Sequence, residues 1–157
     1  MNRYIIFKLP IYRQWIAFVQ TNDKAWLNEH FDIEFSSEDE LYAHCFPSVG
    51  LDVDGVGKMN TIVVIINPYD EGRTINAATL AHEMLHVTYE TVLKVGAKPS
   101  AKNPEYECYL LETLMEMAVD FFSFDNTSHK RDMVDKNVFT LKSLSPKKTI
   151  LIEDEEL

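Results

Sequence analysis

The stretch TIVVIINPYDEGRTINAATLAHEMLH covers residues 61–86 and contains the two features that decide the fold. Its first six residues are a continuous apolar and β-branched run that ends at Asn67-Pro68, and such a run predicts a strand buried on both faces of a sheet. After a polar turn over residues 69–73, helical spacing continues from about residue 75 to about residue 95, and Gly96 predicts a left-handed helix end. We therefore expect a buried strand followed by a long helix that packs on its sheet.

Upstream of this stretch the sequence predicts the rest of a small sheet. Three segments have strand patterns: Tyr4–Leu9, Trp15–Gln20 and Leu51–Val56, the last with its turn at Gly55 and Gly57. Two brief helices are expected between these segments, one capped by Thr21 or Asn22 and one over about residues 36–43. The predicted sheet is mixed or antiparallel and extends over about residues 4–67.

Downstream, Asn103-Pro104 predicts the start of a second long helix, with Asn103 as N-cap and Pro104 at the first helical position. The apolar stripe of this helix continues to about residue 124. Beyond residue 125 the periodicity fades, and the terminal sequence EDEEL predicts a solvated or mobile end. We therefore expect one compact α+β domain over residues 1–125 and an acidic C-terminal extension over residues 126–157.

Composition excludes several classes of protein. The 157 residues carry a formal net charge of −10, which disfavours nucleic acids and anionic membranes as partners. The N-terminal apolar run is too short for a signal peptide or a membrane span. Cys45 and Cys108 form neither a CxxC pair nor a disulfide pattern, so we expect free thiols in a reducing compartment, with the cytoplasm as the default location.

The pentapeptide HEMLH at residues 82–86 indicates a metal site. Residues four apart share one face of a helix, so His82 and His86 can hold one metal ion while Glu83 lies beside it. Catalytic zinc sites generally use three protein ligands and a water, so a third ligand is required. Glu105, at the start of the next helix, is the leading candidate.

Other polar side chains have open roles around this site. Glu112 is the main rival of Glu105 as third ligand, and it can instead orient a histidine ring through a hydrogen bond. Several side chains are candidate donors to an oxyanion, and the sequence does not choose among them: Tyr69, Arg73, Tyr89, Tyr106 and Tyr109.

The spacing HExxH-x18-E formed by His82, His86 and Glu105 resembles that of gluzincin metallopeptidases such as the M1 aminopeptidases, and the thermolysin-like enzymes use almost the same spacing. A metzincin is excluded, because the ten residues after His86 contain no histidine. The chain also resembles small phage-encoded predicted zincin metallopeptidases with a Glu-x-x-Ala-Tyr pattern, although Cys108 replaces the Ala before Tyr109. The resemblance covers about residues 61–122. Tyr109 also stands where the thermolysin pattern has an Asp that supports a histidine.

This resemblance implies a compact zincin-like domain that hydrolyses peptide bonds with Zn²⁺. In that family a zinc ion polarises the substrate carbonyl and activates a water, and Glu83 would accept the proton and deliver it to the leaving amine. A peptide or protein substrate would add to a sheet edge, for which Leu51–Val56 is the expected strand. Asp52 and Asp54 would then favour basic substrates.

Two other classes of function are open. The first is a catalytically silent, zinc-stabilised binding module, such as a phage protein that engages a host factor in the host cytoplasm. Closure of the fourth zinc position by Glu112 or His44 would favour it. The second is an α+β domain that binds no metal. The sequence does not indicate an oligomeric state.

Overall fold

The computed structural model describes residues 2–36, 40–67, 77–122, 138–139 and 141 of the chain. The elements follow in chain order: β1 (Arg3–Leu9), β2 (Gln14–Gln20), α1 (Lys24–Phe31), β3 (Ala43–Val53), β4 (Gly57–Ile66), α2 (Ala77–Lys94), α3 (Glu105–Phe122) and β5 (Val138–Phe139). The predicted turn over residues 69–73 and the predicted first residues of the HEMLH helix lie outside the described residues. Among the described residues, none of the helices combines the length and apolarity that a membrane crossing requires.

The strands form one mixed sheet in the order β3-β4-β2-β1-β5. Strand β4 pairs with β2 in parallel, whereas β1 with β2, β3 with β4, and β1 with β5 are antiparallel. The predicted α+β class and the mixed character of the sheet are therefore confirmed. Within the described part of the chain, β3 is an edge strand.

The TIVVII strand is buried on both faces, as predicted, because the sheet has helices on each side. Val63 and Ile65 face a core layer that contains Trp26, Leu27 and Phe31 of α1. The alternate residues of β4 face the opposite core layer, which is covered by α2 and α3; they are Ile62, Val64 and Ile66. This alternation follows from the two-residue period of a strand, and it buries β4 between the two helical layers.

Strand β3 is longer than the sequence predicts. The helix expected over residues 36–43 is wrong for its described part, because residues 40–42 are not helical and Ala43 already begins the strand. Pairing of residues 43–46 with residues 63–66 of β4 outweighs the local helix signal there. The register shifts between Phe46 and Val49, and the strand ends at the turn with Gly55 and Gly57 at positive φ, as predicted.

The cap of α1 also differs from the prediction. Asp23 is the N-cap, and its carboxylate accepts a 2.9 Å hydrogen bond from the Trp26 N–H. Thr21 lies in the turn before the helix, where its hydroxyl accepts a 2.9 Å hydrogen bond from the Asp23 N–H and its own N–H extends the sheet by donating to Ile66 O at 3.1 Å. Trp26, Leu27 and His30 lie on the buried face of α1.

The ends of the two long helices agree with the sequence. Gly96 has a φ of +77°, and the Ala97 N–H donates to Val92 O at 3.1 Å, which is the expected left-handed C-terminal cap of α2. The first hydrogen bond of α3 joins the Cys108 N–H to Pro104 O at 2.9 Å. Further along, Val138–Phe139 pairs with β1 and Leu141 is buried in the layer of α1, so these residues of the predicted extension lie in the fold.

Candidate metal centre

Helix α2 positions the HEMLH residues by its two faces. Leu80, Met84 and Val87 are buried against the sheet and α3. His82 and His86 lie on the opposite, exposed face, because residues spaced by four recur on one side of a helix. The packing of α2 therefore turns both imidazoles away from the core and toward solvent, where a ligand can reach them.

The two imidazoles are close enough to share one ion. Their Nε2 atoms are 3.1 Å apart, and the rings are inclined at 75° with centroids 4.8 Å apart. Two nitrogens bound to one tetrahedral zinc ion at about 2.05 Å would be about 3.3 Å apart. A hydrogen bond between two neutral rings also has this length. The donor set and its spacing thus fit zinc.

Glu83 is the buried member of the motif. Its side chain lies at the border of the buried face of α2 and is 5% exposed. Burial raises the pKa of its carboxyl above the ordinary value, while the charges of His82, His86 and His44 act in the opposite direction. A carboxyl group in these surroundings retains a proton more readily than one in water, and its location next to the two histidines suits proton transfer.

The edge strand β3 runs beside α2 in the same direction. At one end the Tyr42 hydroxyl is 3.1 Å from the Thr79 hydroxyl, and at the other end the Lys94 ammonium donates to Pro47 O. His82 and His86 lie between Thr79 and Lys94 along α2. The candidate metal centre is therefore adjacent to the first half of β3.

The first half of β3 presents unpaired backbone groups. The Asn67 N–H donates to Tyr42 O at 2.7 Å, and the carbonyl of Ile66 accepts from Thr21 at the end of β2. Residue pairs in an antiparallel ladder alternate between hydrogen-bonded and non-hydrogen-bonded pairs. Ala43 and Ile66 are a non-hydrogen-bonded pair, so the N–H and C=O of Ala43 point away from β4. Cys45, two residues on, does the same. Within the described residues these groups form a free sheet edge.

The thiol of Cys45 lies between this edge and α2. Burial is the main cause that raises its pKa to about 12, and the carboxylates of Glu83 and Glu90 raise it further. The predicted free thiols are present, and Cys108 is exposed on α3. Cys45 therefore acts as a packed apolar group beside the candidate centre.

The candidate third ligands lie on α3. Glu105 and Glu112 are exposed, and Tyr109 is 65% exposed. Among the described residues, no three His, Cys, Asp or Glu side chains form a group that could hold a metal. The structure thus brings His82 and His86 together beside Glu83, and it does not gather Glu105 or Glu112 into a ligand group with them. Tyr69 and Arg73 lie outside the described residues.

His44 belongs to the opposite face of the sheet. Its partner on β4 is Ile65, whose side chain faces the α1 layer, and its ring contacts Phe35 and Phe46. One ring nitrogen is 2.9 Å from Glu40 O. His44 is therefore oriented away from α2 and packs as a partly buried aromatic residue.

Sequence reasoning missed two parts of this region. It placed the sheet edge at Leu51–Val56, whereas the part of β3 next to the histidines is Ala43–Phe46. It also gave Lys94 no role other than at the end of the helix. No local sequence pattern marks the edge segment or Lys94, because both depend on how β3 pairs with β4 and on where α2 packs.

The chain was then compared with known proteins. No family model matches it, and neither does any curated protein or solved structure. The case for a function therefore depends on the residues themselves.

Proposed function

We propose that this protein is a zinc-dependent hydrolase of peptide bonds with a zincin-like, gluzincin-type site. The observation that carries the proposal is the arrangement of α2: two exposed imidazoles with Nε2 atoms 3.1 Å apart, next to the buried carboxyl of Glu83. Two imidazoles and an adjacent carboxyl group supply two of the three metal ligands and the proton-transfer group that metal-assisted hydrolysis uses.

His82 and His86 would hold the zinc ion, and Glu105 remains the predicted third ligand. A bound Zn²⁺ ion supplies Lewis-acid chemistry, which polarises a carbonyl group and makes a water more acidic. Glu83 accepts a proton from the attacking water and transfers it to the nitrogen of the leaving amine.

The free edge of β3 provides a place for the substrate backbone. An extended peptide can form main-chain hydrogen bonds with Ala43 and Cys45, whose N–H and C=O groups face away from β4. This segment, and not Leu51–Val56, lies beside the histidines. Asp52 and Asp54 lie near the hairpin turn beyond the register shift, and Asp52 is opposite Lys58, so a preference for basic substrates is not part of the proposal.

The runner-up is a catalytically silent zinc-binding module. A closed fourth position would favour it, but His44, one of the two residues that could close it, is directed to the other face of the sheet. Glu112, the other candidate, is exposed on α3 as Glu105 is, so a measurement of peptide cleavage separates the two functions.

The substitution Glu83→Gln tests the proposal. Protein purified without a histidine tag and loaded with one equivalent of zinc is incubated with a broad peptide library, and cleavage is followed by mass spectrometry. We expect the wild type and the matched control Glu34→Gln to cleave peptides. Glu83→Gln should bind zinc normally and lose at least about 100-fold of activity, the size of a general acid–base contribution. A wild type that binds zinc but cleaves no peptide supports the module.

A further inference from the structure

The free edge of β3 ends at Pro47. Proline has no backbone N–H, so a peptide paired with Ala43 and Cys45 cannot extend its ladder through this residue. The carbonyl of Pro47 already accepts a hydrogen bond from the Lys94 ammonium. The register of β3 with β4 also shifts between Phe46 and Val49. Lys94 therefore lies where the free edge of β3 ends, which is the last point at which a substrate backbone can form hydrogen bonds with this strand.

The distance along α2 from His86 to Lys94 equals the length of a few residues of extended peptide. Lys94 lies two helical turns after His86, which is about 12 Å along the axis of α2 at 1.5 Å per residue. An extended peptide covers about 3.3 Å per residue. A substrate held at His82 and His86 therefore reaches Lys94 about three to four residues from its scissile bond.

The ammonium of Lys94 can accept an anionic partner. It has three N–H donors, of which Pro47 O takes one. Burial lowers the pKa of Lys94, while the charges of Glu90 and Cys45 act in the opposite direction. Within the described residues no carboxylate forms an ion pair with it. A carboxylate at this point would accept a hydrogen bond from one of the two remaining N–H donors.

We propose that Lys94 is a specificity-determining residue that binds a substrate carboxylate three to four residues from the scissile bond. This inference depends on the proposed peptidase activity. The carboxylate belongs either to an Asp or Glu side chain or to the C-terminus of a peptide that ends there. Lys94 forms a charge-assisted hydrogen bond to it while its contact with Pro47 O fixes the position of the ammonium.

Two sets of peptides test the role of Lys94 and separate the sources of the carboxylate. The first set starts from a peptide that the wild type cleaves and replaces each residue within four positions of the scissile bond by Glu or by Gln. The second set ends at the same positions with either a free carboxylate or a carboxamide. Values of kcat/KM are measured for the wild type, Lys94→Met, Lys94→Arg and the surface control Lys58→Met.

For the wild type we expect one position, three or four residues from the bond, to favour the carboxylate about tenfold, as one charge-assisted hydrogen bond allows. Lys94→Met should reduce this ratio to about one, whereas Lys94→Arg and Lys58→Met should keep it. A purely structural role of Lys94 would change all peptides alike. Equal ratios in the wild type and Lys94→Met overturn this inference alone, whereas a wild type that cleaves no peptide overturns the proposed function together with it.

Discussion

The Nε2 atoms of His82 and His86 lie 3.1 Å apart on the exposed face of α2. At this separation one ring donates a hydrogen bond to the other, or both nitrogens bind the same cation. The two states exclude each other, because the donating Nε2 carries a proton and cannot bind the metal. Zinc binding should therefore break this hydrogen bond and move the proton of the donating ring to its Nδ1.

The first prediction concerns zinc binding. Replacement of either His82 or His86 by Ala should weaken zinc binding by more than about 100-fold, since loss of an outer partner of a ligand alone costs about 10- to 100-fold. Isothermal titration and elemental analysis of untagged protein measure this. His44→Ala is the matched control and should bind zinc like the wild type, because its ring packs against Phe35 and Phe46. Equal affinity in all variants would contradict a metal centre at this place.

The second prediction assigns the third ligand. Glu105→Ala should weaken zinc binding by at least about tenfold, and Glu112→Ala should leave it unchanged. Both side chains are exposed on α3, so neither substitution disturbs the core and the two variants control each other. The opposite result would identify Glu112 as the ligand. If neither variant changes the affinity, α3 supplies no ligand through these two residues.

Local signals were sufficient for most of the elements and for the histidine pair. TIVVII is β-branched at every position and apolar after Thr61, so burial on both faces was readable, and the spacing of His82 and His86 alone places them together on a helix. The first half of β3 was not readable. Residues 43–46 become a strand only by pairing with β4, and the role of the edge depends on α2 lying next to it.

The third prediction concerns the end of α2. Gly96→Ala should lower the free energy of unfolding by about 1 kcal/mol, because a side chain is strained at a φ of +77° although the space around it is open. Gly50→Ala is the control, since its position on β3 is also open and its φ is not in the left-handed region. Urea denaturation of both variants measures the difference. Equal stability of Gly96→Ala and the wild type would contradict the left-handed cap.

The fourth prediction concerns the two thiols. Cys108 is exposed and should react quickly with iodoacetamide at pH 8, whereas Cys45 should react only as the protein unfolds, because its thiol has a pKa of about 12 and is largely buried. Between pH 9.0, the ordinary pKa of a thiol, and about pH 12, Cys45 remains protonated in the folded state and is deprotonated in the unfolded state. The free energy of unfolding should therefore fall as pH rises through this range.

Peptide mapping by mass spectrometry identifies the labelled residue, and Cys45→Ala isolates the contribution of this thiol to the loss of stability at high pH. Rapid labelling of Cys45 in the folded protein would contradict its position between β3 and α2. A loss of stability above pH 9 that is the same in Cys45→Ala and the wild type would assign that loss to other groups.

The fifth prediction is that Glu83 destabilises the metal-free protein. Burial holds the pKa of Glu83 in the folded protein above the ordinary value of 4.5. Between pH 4.5 and the pKa of the folded state, the folded protein therefore binds more protons than the unfolded chain. The free energy of unfolding falls as pH rises through this interval, and it falls no further once the pH exceeds the pKa of the folded state. Glu83→Gln removes the ionised carboxylate and should therefore raise the free energy of unfolding at pH 7.5. Urea denaturation in the presence of a chelator measures it.

The sign of this effect separates a functional carboxyl group from a structural one. A glutamate retained for stability would have favourable partners, and its replacement by Gln would destabilise the protein at neutral pH. Well below pH 4.5 the Glu83 carboxyl is protonated in both states, so the difference between Glu83→Gln and the wild type should vanish there. Glu34→Gln, at an exposed position, controls for the loss of one negative charge. If Glu83→Gln is less stable than the wild type at pH 7.5, the carboxylate is a structural partner and its assignment as the proton-transfer group loses its physical basis.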